Sequence, residues 1–130
     1  MIHLDTNLLI DLVTIGSPHI AVVEKWLSDG EKLGTSAIAW SEFCNGPHTK
    51  QQKDAVFAVL DQEVCDFTWK EAEQASRLFH QTGRRRGSHA DCMIAASAIL
   101  RNVPVATRNI KDFEKFLPYK LQLLPIPTQS

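Results

Sequence analysis

Short apolar runs alternate with amphipathic segments along the whole chain, and this alternation restricts the possible folds more than any other feature. The apolar runs are short enough for strands, whereas the segments between them repeat apolar residues at helical spacing. Strands that alternate with helices predict an α/β fold in three layers, α/β/α, with a mostly parallel central sheet. The predicted strands are residues 2–4, KLGTS, EVCDF, VPVAT and KLQLL.

The clearest helix is predicted from Thr68 to Gly83, with Thr68 as its cap and Glu71 as the capping-box partner. SHADCMIAASAILRN is apolar on most of its circumference, which predicts a buried helix. The tail PIPTQS is predicted to be frayed. The apolar stripe of the helix predicted from Thr68 to Gly83 consists of Ala72, Ala75, Leu78 and Phe79. The other predicted helices are TNLLIDLV, SPHIAVVEKWLSDG, AIAWSEFCNGP, Thr49 to Gln62, and KDFEKF.

Length and charge limit the classes of protein to consider. The chain has 130 residues, of which 44% are hydrophobic, so residues 1–130 are expected to form a single domain with a sizeable core. Its formal charge is -1, so there is no global positive field to hold nucleic acid without discrimination. Any polyanion must therefore be bound locally.

No segment resembles a membrane span or a targeting signal. The longest apolar stretches, such as MIAASAIL, are far shorter than the roughly 20 residues that a span requires. The N-terminus has no basic region followed by an apolar core. Cys44, Cys65 and Cys92 form no CxxC pair, which fits reduced thiols. We therefore expect a cytoplasmic protein that does not contact a membrane.

Carboxylates occur at positions where an α/β sheet binds its ligands. Asp5 directly follows the first strand, and Asn109 and Asp112 follow VPVAT. In an open parallel sheet, ligands bind outside the carboxyl ends of the strands, where the strand order reverses. These two strand ends could therefore face one crevice.

Two further acids lie on helices with apolar surroundings. Glu42 follows Ile38 and Ala39 by one turn, and the face of Asp91 continues with Ala95 and Ala98. Acids are rarely buried unless they are paired or bind a metal. Ligands that offer only oxygen select a hard ion, so this set predicts Mg²⁺ or Mn²⁺.

Each acid also has a simpler interpretation. Asp5 could cap the first helix, and Asp91 with Ser88 fits a variant capping box. Glu42 could point to solvent, and Asp112 could merely begin the KDFEKF helix. The coincidence of several such acids favours a site, because converging carboxylates would repel one another without a cation.

Four motifs together resemble the PIN-domain nucleases, particularly the VapC-type toxins of toxin–antitoxin pairs. These motifs are LDTN, SEF, HADCMIAASA and ATRNIKDF, and they follow the order and spacing of that family. The resemblance places the first three family acids on Asp5, Glu42 and Asp91. Many relatives have Asp at the fourth position, where this chain has Asn109, with Asp112 one turn later. Either residue could complete the site, and this departure leaves open whether one metal ion or two bind.

The resemblance also implies an activity and partners. Thr6 and Asn7 match polar family residues beside the first acid, and Thr107 matches a hydroxyl near the fourth; with Asn109 they are expected to support the metal ligands. The implied activity is Mg²⁺- or Mn²⁺-dependent hydrolysis of RNA phosphodiester bonds. The implied assembly is a homodimer bound to a small antitoxin protein. A housekeeping RNA-processing nuclease is an alternative interpretation.

Arg84, Arg85 and Arg86 form the one arginine run, and they could bind RNA close to Asp91. A solvated helix end and a docking site for an acidic antitoxin segment are equally compatible with it. The tryptophans, at helical positions among apolar residues, are expected to pack in the core rather than stack on bases. They are Trp26, Trp40 and Trp69.

Other classes of protein fit the sequence less well. A receiver domain would need adjacent acids near the first strand, where this chain has only Asp5. A haloacid-dehalogenase-type phosphatase would need a second Asp two residues later, a position that Asn7 occupies. A PIN-like scaffold that binds RNA or protein without cleavage is supported only by Asn109.

Overall fold

A parallel five-stranded sheet forms the centre of the molecule, in a computed structural model that describes residues 1–126. Its order is β3-β2-β1-β4-β5, and every neighbouring pair is parallel, so the expected mostly parallel sheet is parallel throughout. The chain fills one side of β1 first and then crosses to the other, so strand order reverses between β1 and β4. The strands are β1 (Ile2–Leu4), β2 (Leu33–Ser36), β3 (Val64–Cys65), β4 (Val105–Thr107) and β5 (Leu123–Pro125).

Helices connect these strands at the predicted places. The segment predicted from Thr49 to Gln62 ends earlier, because Asp61 and Gln62 take positive φ values of 49° and 62° that no right-handed helix accommodates. Within residues 1–126, no helix is long and apolar enough to cross a membrane. The helices are α1 (Thr6–Asp11), α2 (Ile20–Ser28), α3 (Ala37–Cys44), α4 (Lys50–Val59), α5 (Trp69–Gln81), α6 (His89–Arg101), α7 (Ile110–Phe113) and a 3₁₀ helix (Glu114–Tyr119).

The core forms between the sheet and its helices. Helix α6 is buried on most of its circumference, as predicted, and Ala95, Ala96 and Ala98 are fully buried there. The small alanines let neighbouring backbones approach closely, which explains how a helix fits between other elements. Phe113 and Phe116 pack edge to face and anchor the segment after β4 in the same core.

The start of α5 differs from its predicted form. Thr68 accepts a hydrogen bond from the Glu71 amide as a cap should, but the Glu71 carboxylate does not complete a capping box. The carboxylate lies 2.6 Å from Arg101 Nη1 instead, and Glu71 is 3% exposed. A cation beside a buried carboxylate offsets the hydration that the carboxylate loses on burial.

Several smaller predictions also need correction. Trp69 is 68% exposed rather than in the core, although Trp26 and Trp40 pack against the core as expected. Ala72, placed in the apolar stripe of α5, is exposed. Pro125 belongs to β5 and Ile126 is buried, so the tail is not frayed there; residues 127–130 lie outside the described part.

Candidate metal and nucleic-acid site

Asp5 lies at the joint between β1 and α1, beside the point where strand order reverses. Its backbone amide donates to Ala106 of β4 at 3.0 Å, and its side chain is buried. One carboxylate oxygen accepts from the Thr6 amide at 2.7 Å, and the other accepts from Thr107 Oγ1 at 2.8 Å. Asp5 is the N-cap residue of α1, but its carboxylate is also held towards the end of β4.

Glu42 approaches this region from α3. Its side chain is exposed, which agrees with the simpler interpretation that it points to solvent, although Ile38 and Ala39 one turn earlier pack in or against the core. Glu42 Oε1 nevertheless accepts a hydrogen bond from Thr6 Oγ1 at 2.7 Å. Thr6 therefore contacts two of the predicted acids, one through its amide and the other through its hydroxyl.

Asp91 is half-buried in the first turn of α6. The variant capping box with Ser88 does not form, because the Ser88 hydroxyl donates instead to the Arg85 carbonyl at 2.7 Å. Burial, together with the negative charges of Asp5 and Asp112, raises the pKa of Asp91 to about 6. Capping therefore does not explain Asp91, and the charges of other predicted acids disfavour its ionised form.

The two candidates for the fourth position have different surroundings. Asp112, on α7, carries a charge that raises the pKa of both Asp5 and Asp91. The Asn109 amide donates to Thr107 Oγ1 at 2.9 Å, and its side chain makes no capping bond. Asp112 therefore belongs electrostatically to the acid group, while Asn109 contacts the residue that holds Asp5.

The environment of Asp5 balances opposing effects on its ionisation. Burial raises its pKa, the hydrogen bonds from Thr107 and Thr6 lower it, and the charges of Glu42 and Asp112 raise it again. The two hydrogen bonds thus favour the anion at a site where burial and repulsion oppose it. A divalent cation would relieve the same repulsion.

We refer to Asp5, Glu42, Asp91 and Asp112 as the acid cluster. Within residues 1–126, no three His, Cys, Asp or Glu side chains stand close enough together to hold a metal ion. The ligand chemistry still fits a hard ion, since the cluster offers only carboxylate oxygens and its members destabilise one another's charges.

Polar neighbours connect the ends of β1 and β4. Thr107 is fully buried; it donates to Asp5, and its oxygen accepts from the Asn7 amide group at 3.5 Å. Asn7 Oδ1 is buried without a hydrogen-bond partner in the described part of the chain. The expected supporting residues are thus brought together with Asp5, and one of them retains an unused acceptor.

The arginine run lies in the loop before α6. All three side chains are exposed, and Arg84 Nε donates to His80 Nδ1 at 2.8 Å. Gly83 and Gly87 bracket the run with φ values of +94° and +84°, a conformation that favours glycine. The loop is therefore placed next to the first turn of α6, where Asp91 lies.

Two cations near the site were missed by the sequence analysis. Lys115 lowers the pKa of Asp91, and it follows Asp112 by three residues, which is the spacing of one helical face. Arg108 follows Thr107 directly, and its Nε lies 2.8 Å from Asp11 Oδ2. The helical spacing could have indicated Lys115, but no local pattern predicts the contact between Arg108 and Asp11.

Comparisons with known proteins concern the family and the fold. A family model described as the PIN domain matches residues 2–116. No curated protein sequence matches the chain. At sequence identities below 25%, the likeness to solved structures concerns the fold.

Three of the solved structures with this fold match nearly the whole chain. FitAcB from Neisseria gonorrhoeae is 23% identical with a TM-score of 0.69, covering 95% of this chain and 96% of that chain. VapBC2 from Rickettsia felis, bound to a promoter DNA fragment, is 23% identical with a TM-score of 0.70, covering 96% and 98%. DNA-bound VapBC from Salmonella typhimurium is 23% identical with a TM-score of 0.70, covering 97% and 98%.

Proposed function

The chain belongs to the PIN-domain family, and we propose that it is a Mg²⁺- or Mn²⁺-dependent endoribonuclease that hydrolyses RNA phosphodiester bonds, acting as the toxin of a toxin–antitoxin pair. The observation that carries the proposal is the acid cluster: Asp5 directly follows β1, Thr6 hydrogen-bonds both Asp5 and Glu42, and the charges of Asp5, Glu42 and Asp112 all act on Asp91. A strand-order reversal is where open α/β sheets bind their ligands.

In this proposal Asp5 and Asp91 bind the metal directly, and Glu42 and Asp112 assist it, largely through water. Mg²⁺ bound there would supply the Lewis-acid chemistry that activates water and stabilises negative charge on a phosphodiester. Thr107 and Thr6 orient Asp5 and favour its ionised form.

The decisive experiment is an RNA cleavage assay with the full chain and Mg²⁺. We expect cleavage that stops when EDTA removes the metal and that Asp5→Asn abolishes, because the amide keeps the size of the side chain but not its charge. Circular dichroism should show that the variant is folded. Cleavage that persists in Asp5→Asn would remove the proposed mechanism, and metal-independent RNA binding without cleavage would indicate a scaffold.

We assign the fourth position to Asp112 rather than Asn109. An anion whose charge already acts on Asp5 and Asp91 contributes more field to a bound cation than a neutral amide does. Asp112→Ala is expected to slow cleavage by about 10²-fold, the range for outer groups of metal sites, and Asn109→Ala by far less. The assignment is wrong if the order of the two variants is reversed.

We propose that Arg84, Arg85 and Arg86 contact the RNA backbone. The run is exposed beside the helix that carries Asp91, and a chain of charge -1 needs local cations to offset repulsion between phosphate and the acid cluster. Changing all three to Ala should therefore flatten the salt dependence of RNA binding.

The proposed partners follow from the structural relatives. One structural relative is described as a toxin–antitoxin complex from Klebsiella pneumoniae, so we propose a small antitoxin partner for this chain, with a homodimer as the basic unit that the family resemblance implies. The proposed place of action is the cytoplasm, where the RNA substrate is found. Co-purification with a product encoded beside this chain, together with suppression of cleavage, would separate a toxin from a housekeeping nuclease.

A further inference from the structure

A buried carboxylate and an arginine form a pair beside the acid cluster. Asp11 ends α1, the helix that begins after Asp5, and is 6% exposed. Arg108 directly follows Thr107, the residue that donates to Asp5. Arg108 Nε and Asp11 Oδ2 are 2.8 Å apart. The pair thus connects the two elements whose ends carry the site.

The contact between the two side chains is one of charge and is not a directed hydrogen bond. Although the distance is short, the Nε–H does not point at Asp11 Oδ2, and both atoms are without a hydrogen-bond partner in the described residues. The side chain of Arg108 is 35% exposed, whereas that of Asp11 is only 9% exposed. A guanidinium has five donors in a rigid fork, so Asp11 can hold its charge while other donors remain available.

Arg108 also lines a surface cavity of about 440 Å³. The cavity is bounded by residues 108–112, so Lys111 contributes a second cation and Asp112 an acid of the cluster. Two cations and one acid of the cluster, Asp112, therefore line the same cavity. Such a surface fits a phosphate chain in which one phosphate reacts and the next is held by cations.

We infer that Arg108, held in place by the buried Asp11, binds a phosphate of the RNA next to the one that is cleaved, and so positions the strand over the acid cluster. The inference rests on the proposed function. Asp11 follows Asp5 by six residues, which is about 9 Å along a helix, so Asp11 holds Arg108 at a distance from the acid that is proposed to bind the metal. Arg108 is thus a positioning residue.

The test compares Arg108→Gln with wild type on two RNA substrates. On a mixed-sequence oligoribonucleotide we expect KM to rise about ten-fold, the loss of one charge-assisted contact, with kcat nearly unchanged. A dinucleotide has no neighbouring phosphate, so the same variant should cleave it as wild type does. Arg108→Lys should bring KM part of the way back to the wild-type value, because it restores the positive charge but not the planar guanidinium group.

Two further variants control for folding and for unspecific charge. Arg108→Gln leaves Asp11 buried without its cation, so Asp11→Asn/Arg108→Gln is measured alongside it and should show the same KM with recovered stability. Arg77→Gln removes an exposed arginine of α5 that hydrogen-bonds only Gln74 in the described structure, and should leave both substrates unaffected. An equal loss on both substrates, or a KM like that of wild type, would show that Arg108 only ties α1 to β4.

A binding measurement separates this inference from the proposed activity. Fluorescence anisotropy of a labelled oligoribonucleotide in the Asp91→Asn background requires no cleavage. Adding Arg108→Gln should weaken binding about ten-fold and reduce the slope against salt by about one unit. Unchanged binding in this background overturns the inference even if the wild type cleaves RNA. Weaker binding supports the contact between Arg108 and an RNA phosphate even if no cleavage is found, in which case only the proposed function fails.

Discussion

Asp91→Asn is expected to abolish RNA cleavage and, at the same time, to make the metal-free protein more stable at neutral pH. Burial and the charges of Asp5 and Asp112 raise the pKa of Asp91 to about 6, so its ionised form is unfavourable in the folded chain. The neutral amide removes this repulsion. Because the carboxyl group is half-exposed and partly screened by solvent, the expected gain in unfolding free energy is about 1 kcal/mol.

The pH dependence of this gain has a definite sign. The pKa of Asp91 is raised from 3.8 to about 6 in the folded state, so its favourable contribution is complete below pH 3.8 and is lost as pH rises through about 6. In EDTA, the unfolding free energy of the wild type should therefore fall over this interval more steeply than that of Asp91→Asn. Urea unfolding at a series of pH values measures the difference.

Magnesium provides the second readout for Asp91. A ligand that binds only the folded state raises its melting temperature, so Mg²⁺ should stabilise the wild type and have little effect on Asp91→Asn. Exposed Asp54, which pairs with Lys50 on α4, offers a matched control: Asp54→Asn should keep the full response to Mg²⁺. An equal Mg²⁺-induced shift in Asp91→Asn and wild type would show that Asp91 is not a ligand.

Arg101→Met is expected to cause the largest loss of stability, about 3 kcal/mol, because it leaves the Glu71 carboxylate buried without its cation. Arg101 donates to Glu71 Oε1 at 2.6 Å, to Ser97 Oγ at 3.0 Å and to the Asp66 carbonyl at 2.9 Å. These bonds tie the end of α6 to the start of α5 and to the loop before it. Urea unfolding of variant and wild type measures the loss.

The double variant Glu71→Met/Arg101→Met separates the ion pair from packing. With both charges removed, no buried carboxylate is left unpaired, so the double variant should be more stable than Arg101→Met alone. Arg77→Met, an exposed change on α5, should alter the free energy of unfolding little. If the double variant is the less stable of the two, loss of packing rather than the unpaired charge explains the effect.

The fold and the position of Asp5 at the end of a strand could be predicted because they depend on local patterns. Alternating strand and helix signals define a parallel sheet, and the end of a strand is where the next residue meets the ligand crevice. The position of Asp5 therefore follows from the apolar run before it, which forms a strand, and from the helix after it. The site roles of the acid cluster remain predictions that the proposed experiments test.

Contacts between distant segments could not be predicted in this way. The partner of Glu71 is Arg101, 30 residues away, although the local pattern indicated a capping box with Thr68. A capping pattern describes only the backbone nearby, whereas burial of a carboxylate makes a distant cation the more stabilising partner.

The sequence by itself determined the parallel α/β architecture and the position of Asp5 at a strand end, because both follow from apolar spacing and chain direction. Only the tertiary structure decided that the charge of Asp112 acts on Asp5 and Asp91, and that Asp11 faces Arg108. Electrostatic interactions depend on distance and burial in space. Neither is determined until α1, α6 and the segment after β4 pack around the same end of the sheet.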